Sequence, residues 1–299
     1  MPMHETLRHR RPARLEIVGA VLSGVALWGS TIAHAQTAPA VQQHVTVSLI
    51  AETRNIVAGQ PLRVALRQQI QPGWHTYWSN PGESGIATTM EWSLPPGFKA
   101  GQIEWPAPER FNAGPVVFYG YKNDAMLPVD IDVPKDLQPG SDLTISAHVS
   151  WLACGDICVP EETDLSLSIP VGTVSQRDPG WAQAFASSRE RTPRSNPFVT
   201  TANSFDGKIT LRVATGDARQ LRDVTFFPAD ADVIDDGAPQ AVILDSEGLT
   251  LTLKRDRANS RSVILNGVLV FRDQAAQTGG TPTALSVSIP IGSLTPVER

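Results

Sequence analysis

The chain has 299 residues, enough for two domains of ordinary size, and its 41% hydrophobic and 18% charged residues have the balance of a globular protein. The formal net charge is −5, so the electrostatics give no reason to expect a nucleic-acid partner. Past residue 35, no stretch has the length and apolarity of a membrane-spanning helix.

The N-terminus reads as an export signal. Arg8, Arg10, Arg11 and Arg14 form a basic segment, Leu15 to Trp28 is apolar, and Ala33-His34-Ala35 is a small-x-small cleavage site. The expectation is that residues 1–35 are removed and the mature chain starts at Gln36. Removing four arginines and two glutamates takes the net charge from −5 to −7. An exported chain meets an oxidising compartment, such as a bacterial periplasm, where a disulfide persists.

From Val41 the pattern has period two. Val45 to Ile50 and Leu62 to Arg67 alternate apolar and polar residues around Gly59-Gln60-Pro61, as half-buried strands do. Pro72 to Gly82 is a turn, an aromatic strand and a second turn. Met90 to Leu94 is a short strand ended by Pro95-Pro96-Gly97. Phe118 to Tyr121 falls in a loop after Pro115, ahead of a strand from Ala125 to Val133. Leu143 to Trp151 is a strong strand, and Asp164 to Pro170 alternates cleanly. Short strands with turn signals every dozen residues or so predict a β-sandwich over residues 36–175.

A helix is predicted over Gly180 to Arg191, with Asp178 as N-cap, Pro179 in its first turn, and Trp181, Ala184, Phe185 and Ser188 on one face. Residues 176–197 then serve as helix and linker. Residues 198–299 form a second unit that repeats the first. Leu285 to Leu294 matches Leu165 to Val174 nearly residue for residue, and Ser262 to Phe271 resembles Leu143 to Leu152, both at an offset of about 120. Where the first copy carries its cysteines, the second carries Arg272-Asp273-Gln274. The expected fold is therefore all-β, with two tandem sandwiches joined by a short helix and linker.

Both cysteines lie in Val149 to Glu162, at Cys154 and Cys158. On a straight strand they would stand roughly 13 Å apart, at about 3.3 Å per residue. A disulfide needs Cα atoms within about 7 Å, so a bonded pair requires the chain to fold back at Gly155-Asp156. An exported protein often uses such a pair as an inert staple. Here the enclosed loop is so short that closure entropy contributes only about 2 kcal/mol, against about 4.7 for a 100-residue loop. A sandwich of this size also buries enough core without a staple. Asp156, Glu161 and Glu162 would disfavour a thiolate nearby.

The segment Trp151 to Glu162, with Phe118-Tyr119-Gly120 and Leu127-Pro128-Val129 upstream, resembles the N-terminal periplasmic domain of the transmembrane thiol–disulfide reductase DsbD. The Pro72 to Gly82 segment and the cysteine spacing resemble the ScsB branch of that family. The resemblance covers about Val41 to Gly172 and implies an immunoglobulin-like sandwich. It further implies a protein-disulfide reductase-like relay. Cys158 would be the attacking cysteine and Cys154 its partner, under a cap loop of Phe118, Tyr119 and Gly120. The donor would be a membrane thiol–disulfide reductase or thioredoxin-like domain, and the acceptors periplasmic thiol proteins, with cytochrome c biogenesis, disulfide isomerisation and metal tolerance all open as the outcome. No cofactor and no metal are expected. The family's cap loop carries an acidic pair where this sequence has Val116-Val117. The chain as given also ends after its second sandwich, so a separate membrane donor is expected.

The alternative is a non-enzymatic binding module, for copper or a partner protein, with a structural bridge. His75, His148, Met126 and the two cysteines have the donor types that suit copper, at no standard zinc spacing. Trp74, Tyr77, Trp78, Trp92 and Trp105 read as sandwich core rather than a ligand groove.

Overall fold

A computed structural model of the chain describes residues 40–41, 44–256, 262–274 and 281–293. The expected export signal lies outside the described residues. None of the helices described is long and apolar enough to cross a membrane.

The fold is all-β, as the alternation predicted, and its two halves are immunoglobulin-like sandwiches. In the first half, one five-stranded sheet contains Val45–Ala51, Leu62–Ile70 and Asp124–Asp132 as antiparallel neighbours. The facing sheet is built on a long hairpin, Asp142–Cys154 against Cys158–Gly172, with Thr89–Ser93 along its edge. On the hairpin's inner face Ile145, Ala147, Val149 and Trp151 are buried, while Ser146, His148 and Ser150 point outward. They pack against Val47, Leu49, Val64, Leu66, Leu127 and Val129 of the other sheet. Period-two burial on both sheets makes this a two-layer core.

The hairpin is longer than the sequence indicated. Its register is unbroken from Asp142 opposite Pro170 to Cys154 opposite Cys158. The charged run Glu161-Glu162, which masks the alternation, is part of the strand because Glu161 is satisfied inside the core. Its Oε1 accepts the His44 backbone N–H at 2.9 Å and its Oε2 accepts the Trp151 indole N–H at 3.0 Å.

The helix runs Ala182–Arg191, two residues shorter at its start than predicted, with Trp181 at the N-cap and no side-chain cap. Asp178 instead accepts the Gly180 N–H at 2.9 Å, closing a turn ahead of the helix. The apolar face is the predicted one. Phe185 is fully buried against Ile50, Ala65 and Met126, with Trp181 and Ala184 beside it.

The second half repeats this plan. Ile264–Asp273 pairs with Thr283–Ser293 as the long hairpin pairs, with Leu269 opposite Leu285 where the first half has Ala147 opposite Leu165. In both halves the returning strand changes partner near its end, to a parallel neighbour. Val171 meets Ile56, and Ile291 meets Ala202. Ile209, Leu211, Leu249, Leu251, Leu265 and Leu269 form the core of this half. Phe227, Val268, Val270 and Ala284 pack instead into the core of the first half, so the two sandwiches share an apolar contact.

Candidate active site

The two cysteines stand directly opposite one another at the end of the long hairpin and form a disulfide, with Cα atoms 4.1 Å apart. The connecting turn is Gly155-Asp156-Ile157, in which the Gly155 N–H donates to the Ile157 carbonyl at 2.9 Å. Gly155 lies outside the left-handed region, so its positive-φ freedom is not what the turn uses. The two sulfurs have unlike surroundings. Cys154 is 1% exposed, whereas Cys158 is exposed, and Ile157 between them is 66% exposed.

A three-stranded sheet covers Cys154. Its strands are Thr76–Gly82, Val116–Tyr121 and Glu109–Ala113, with Val116–Tyr121 in the centre. It is tied to the hairpin end by a reciprocal backbone pair. The His75 N–H donates to the Cys154 carbonyl at 2.9 Å, and the Cys154 N–H to the His75 carbonyl at 3.0 Å. The Phe118-Tyr119-Gly120 segment is therefore a central strand and not the predicted loop. Pro115 and Gly114 only mark the turn before it, and both of its faces are covered. Phe118 faces the disulfide in a buried cluster with Tyr77 and Cys154, while Tyr119 and Tyr121 point the other way, into the core. Gly120 is required by close approach, since a Cβ there would stand 1.9 Å from the Thr76 carbonyl oxygen.

The cap is aromatic throughout. The His75 ring stacks on Phe118 with centroids 4.2 Å apart, and Phe111 stacks on Phe118 at 5.3 Å. Tyr77 meets Phe118 edge-on at 5.8 Å. The Tyr77 hydroxyl lies 4.0 Å from Cys158 Sγ and 3.3 Å from His75 Nε2. Burial lowers the His75 pKa to about 4, so its imidazole is neutral near pH 7. Burial also raises the Tyr77 pKa, so its phenol stays protonated. Gly85 is needed here as well, because it adopts φ +126° and a Cβ would stand 2.2 Å from the Tyr77 ring.

The candidates from the sequence fall out unequally. Cys154, Cys158, Phe118 and His75 converge, and Tyr119 and Gly120 back them. Met126 sits under the helix, and His148 lies six residues up the hairpin, roughly 20 Å from Cys154 at the rise of a strand. The His148 side chain is engaged by Asp164 at 2.9 Å, and among the described residues no group of three or more metal-ligating side chains forms. Glu161 faces the core, away from the sulfurs. At Val117, Glu83 Oε2 accepts the backbone N–H at 2.6 Å. On the sulfur face of the hairpin, a cleft of about 440 Å³ is lined by Leu152, Pro160, Ile86 and Ala87.

Comparison with known proteins bears on the fold that carries this site. Residues 46–170 match the family model of the thiol:disulfide interchange protein DsbD, N-terminal. That stretch is similar to the N-terminal domain of the thiol:disulfide interchange protein DsbD. It carries the hairpin, the bridge and the whole cap. The N-terminal periplasmic domain of ScsB from Proteus mirabilis has the same fold over both sandwiches. The TM-score is 0.60 at 18% identity, covering 87% of this chain and 99% of that one. A protein of unknown function from Porphyromonas gingivalis W83 aligns at 11% identity over 82% of this chain and 99% of that one, but its TM-score of 0.22 is too low to bear on the fold. No curated protein matches the sequence. The matched stretch includes both cysteines of the Cys154–Cys158 bridge.

Proposed function

We propose that the protein is an exported, periplasmic thiol–disulfide exchange protein that relays electrons from a membrane reductase to periplasmic thiol proteins through Cys154 and Cys158. The observation that carries this reading is the asymmetry of the bridge, with one sulfur-bearing residue exposed at a hairpin end and the other buried under aromatic rings. An inert staple has no use for such a difference. An exchange centre does, because it directs attack to one sulfur and shelters the other.

In the reduced form, the Cys158 thiolate attacks one sulfur of the acceptor's disulfide. A mixed disulfide forms and the acceptor's other sulfur leaves as thiolate. The Cys154 thiolate then attacks Cys158 Sγ, which reforms the bridge and releases the acceptor's second thiolate. Two electrons pass to the acceptor, whose thiolates take protons from solvent. A donor dithiol restores the reduced form by the same steps in reverse. Tyr77 has one hydroxyl proton. Donating it to the Cys158 thiolate leaves its oxygen free to accept from a neutral His75 protonated at Nε2. That chain would favour the thiolate without a buried positive charge.

Redox titration against a glutathione series tests the reading. The expected result is a potential within the range of exchanging proteins. A value below about −300 mV, typical of structural bridges, refutes it. A Cys154→Ser variant should hold a thioredoxin-like protein as a mixed disulfide through Cys158, and Cys158→Ser should not.

A further inference from the structure

The cysteine-free second sandwich touches the first where the cap is built. Val116–Tyr121 presents alternate side chains to opposite faces, so Phe118 and Tyr119 report on different neighbours. Phe118 faces the bridge. Tyr119, fully buried, has the second sandwich behind it. Its hydroxyl donates to Asp236 Oδ1 at 2.9 Å, and its ring meets Phe227 edge-on at 5.1 Å. The adjoining cap strands are held by the same loop and strand of the second half. Arg110 donates to the Asp236 carbonyl at 3.0 Å, and Asn80 Nδ2 donates to the Pro228 carbonyl at 2.9 Å. All three strands of the cap sheet are therefore fastened from behind by residues of the second half.

We propose that the second sandwich is a brace for the cap, with Asp236 as a positioning residue that holds Tyr119, and through it Phe118, closed over the Cys154–Cys158 bridge. A strand gripped on its rear face cannot lift its front face from the disulfide without breaking the Tyr119–Asp236 hydrogen bond and sliding Tyr119 off Phe227. Departure of the buried Cys154 sulfur is thus governed by a contact between two residues 117 apart in sequence. Asp236 touches neither sulfur and acts only through the strand. The inference rests on the exchange reading of the bridge, and it gives the repeated, cysteine-free half a part in that chemistry.

The test uses the full mature chain and dithiothreitol as the probe thiol. The readout is the pseudo-first-order rate of bridge reduction at fixed pH. Asp236→Ala should raise this rate about tenfold, and Tyr119→Phe should do the same. The double variant should be no faster than either single one, since both break one contact. Asp236→Asn keeps an acceptor oxygen and should stay within about twofold of the parent chain. A lost fold contact with no role in gating would lower the melting temperature and leave the rate unchanged, which would overturn the proposal. Equal acceleration by Asp236→Ala and Asp236→Asn would overturn it too. If Asp236→Ala fails to fold, Tyr119→Phe alone decides. Because the probe is a small thiol, the result stands whether or not a protein acceptor is found. A braced cap over a bridge that never exchanges with thioredoxin-like proteins would sink the relay and leave the brace. Exchange with unchanged rates in the variants would do the reverse.

Discussion

Replacing Phe118 by alanine removes the ring that lies over the disulfide. That ring makes three aromatic contacts, at 4.2 Å with His75, 5.3 Å with Phe111 and 5.8 Å with Tyr77. Such pairs contribute about 0.5–1.5 kcal/mol each beyond area burial, so around this ring the cap's own strands are held against local opening by about 1.5–4.5 kcal/mol. Part is recovered as Phe111 and His75 settle into the space, which leaves about 1.5–3 kcal/mol. At about 1.4 kcal/mol per factor of ten, the cap should open some tenfold to hundredfold more often. Opening matters at the leaving group. When a thiolate attacks exposed Cys158, Cys154 must depart as an anion, and an apolar surrounding raises a thiol's pKa and makes it leave slowly. Water reaching Cys154 removes that brake. The assay is stopped-flow reduction by dithiothreitol on a variant whose near-ultraviolet circular dichroism shows native packing. The variant should also lose about 3 kcal/mol of stability in urea, the low end for Phe→Ala, because Phe118 lies in a small cluster at the rim. A rate within twofold of the parent, on a folded variant, would show that the ring fills space without governing the bridge.

Docking and chemistry can be separated at Ile157, which is 66% exposed between the cysteines. Ile157→Asp should leave the dithiothreitol rate within about threefold and slow exchange with a protein thiol at least tenfold, the size of a hot-spot contact near 1.4 kcal/mol. Equal slowing of both reactions would place the residue in the chemistry instead. Stability against pH should expose two opposed groups. Burial lowers the His75 pKa to about 4, below its ordinary 6.5, so the unfolded chain binds a proton that the folded chain refuses and stability rises from pH 4 to 6.5. Burial, aided by Glu83, Asp235 and Asp232, raises the Asp236 pKa to about 6 from 3.8, so its contribution is full below 3.8 and is lost as pH climbs through 6. The two slopes oppose each other in the parent chain. Asp236→Asn removes one, and its denaturation midpoint should climb more steeply from pH 4 to 6.5 than the parent's; an identical profile would refute the assignment. Glu161→Ala strands the buried Trp151 indole and the His44 backbone N–H, at about 1–3 kcal/mol each. Urea unfolding should show a loss of about 3 kcal/mol, and a loss under 1 would mean that water replaces the carboxylate.

Much of the architecture was legible because its signals are local. Alternation around Leu62 to Arg67 and Leu143 to Trp151 marks strands, since side chains on a strand face opposite sides with period two. The pairing of Leu269 with Leu285 agrees with the repeat read from the two Leu-Ser-x-Ser-Ile-Pro segments. A bond between cysteines at this spacing requires a fold-back, and both the bond and the fold-back are present. Local signals failed where a residue's partner is distant. Glu161 reads as a charge near the thiols, and its buried partners, His44 and Trp151, come from the bend before Val45–Ala51 and the facing position of the hairpin. Phe118 to Tyr121 read as loop because Pro115 and Gly114 precede it, and only the strands on each side reveal a ladder.

The sequence by itself determined an all-β chain with a repeated plan, the pair Cys154 and Cys158 at a bend, and a resemblance that includes the Trp74-His75-Thr76-Tyr77 segment. His75 and Tyr77, two residues apart, share a strand face from the sequence alone. Tertiary structure decided that this face meets the disulfide, that Cys158 is exposed while Cys154 is covered, that Glu83 stands at Val117, and that Asp236 holds Tyr119. The reason is physical. Period and turn chemistry act over a few residues and are written in order along the chain. Contacts such as Tyr119 to Asp236 depend on how two sheets pack across a shared core, and no local pattern encodes which loop will end behind which strand.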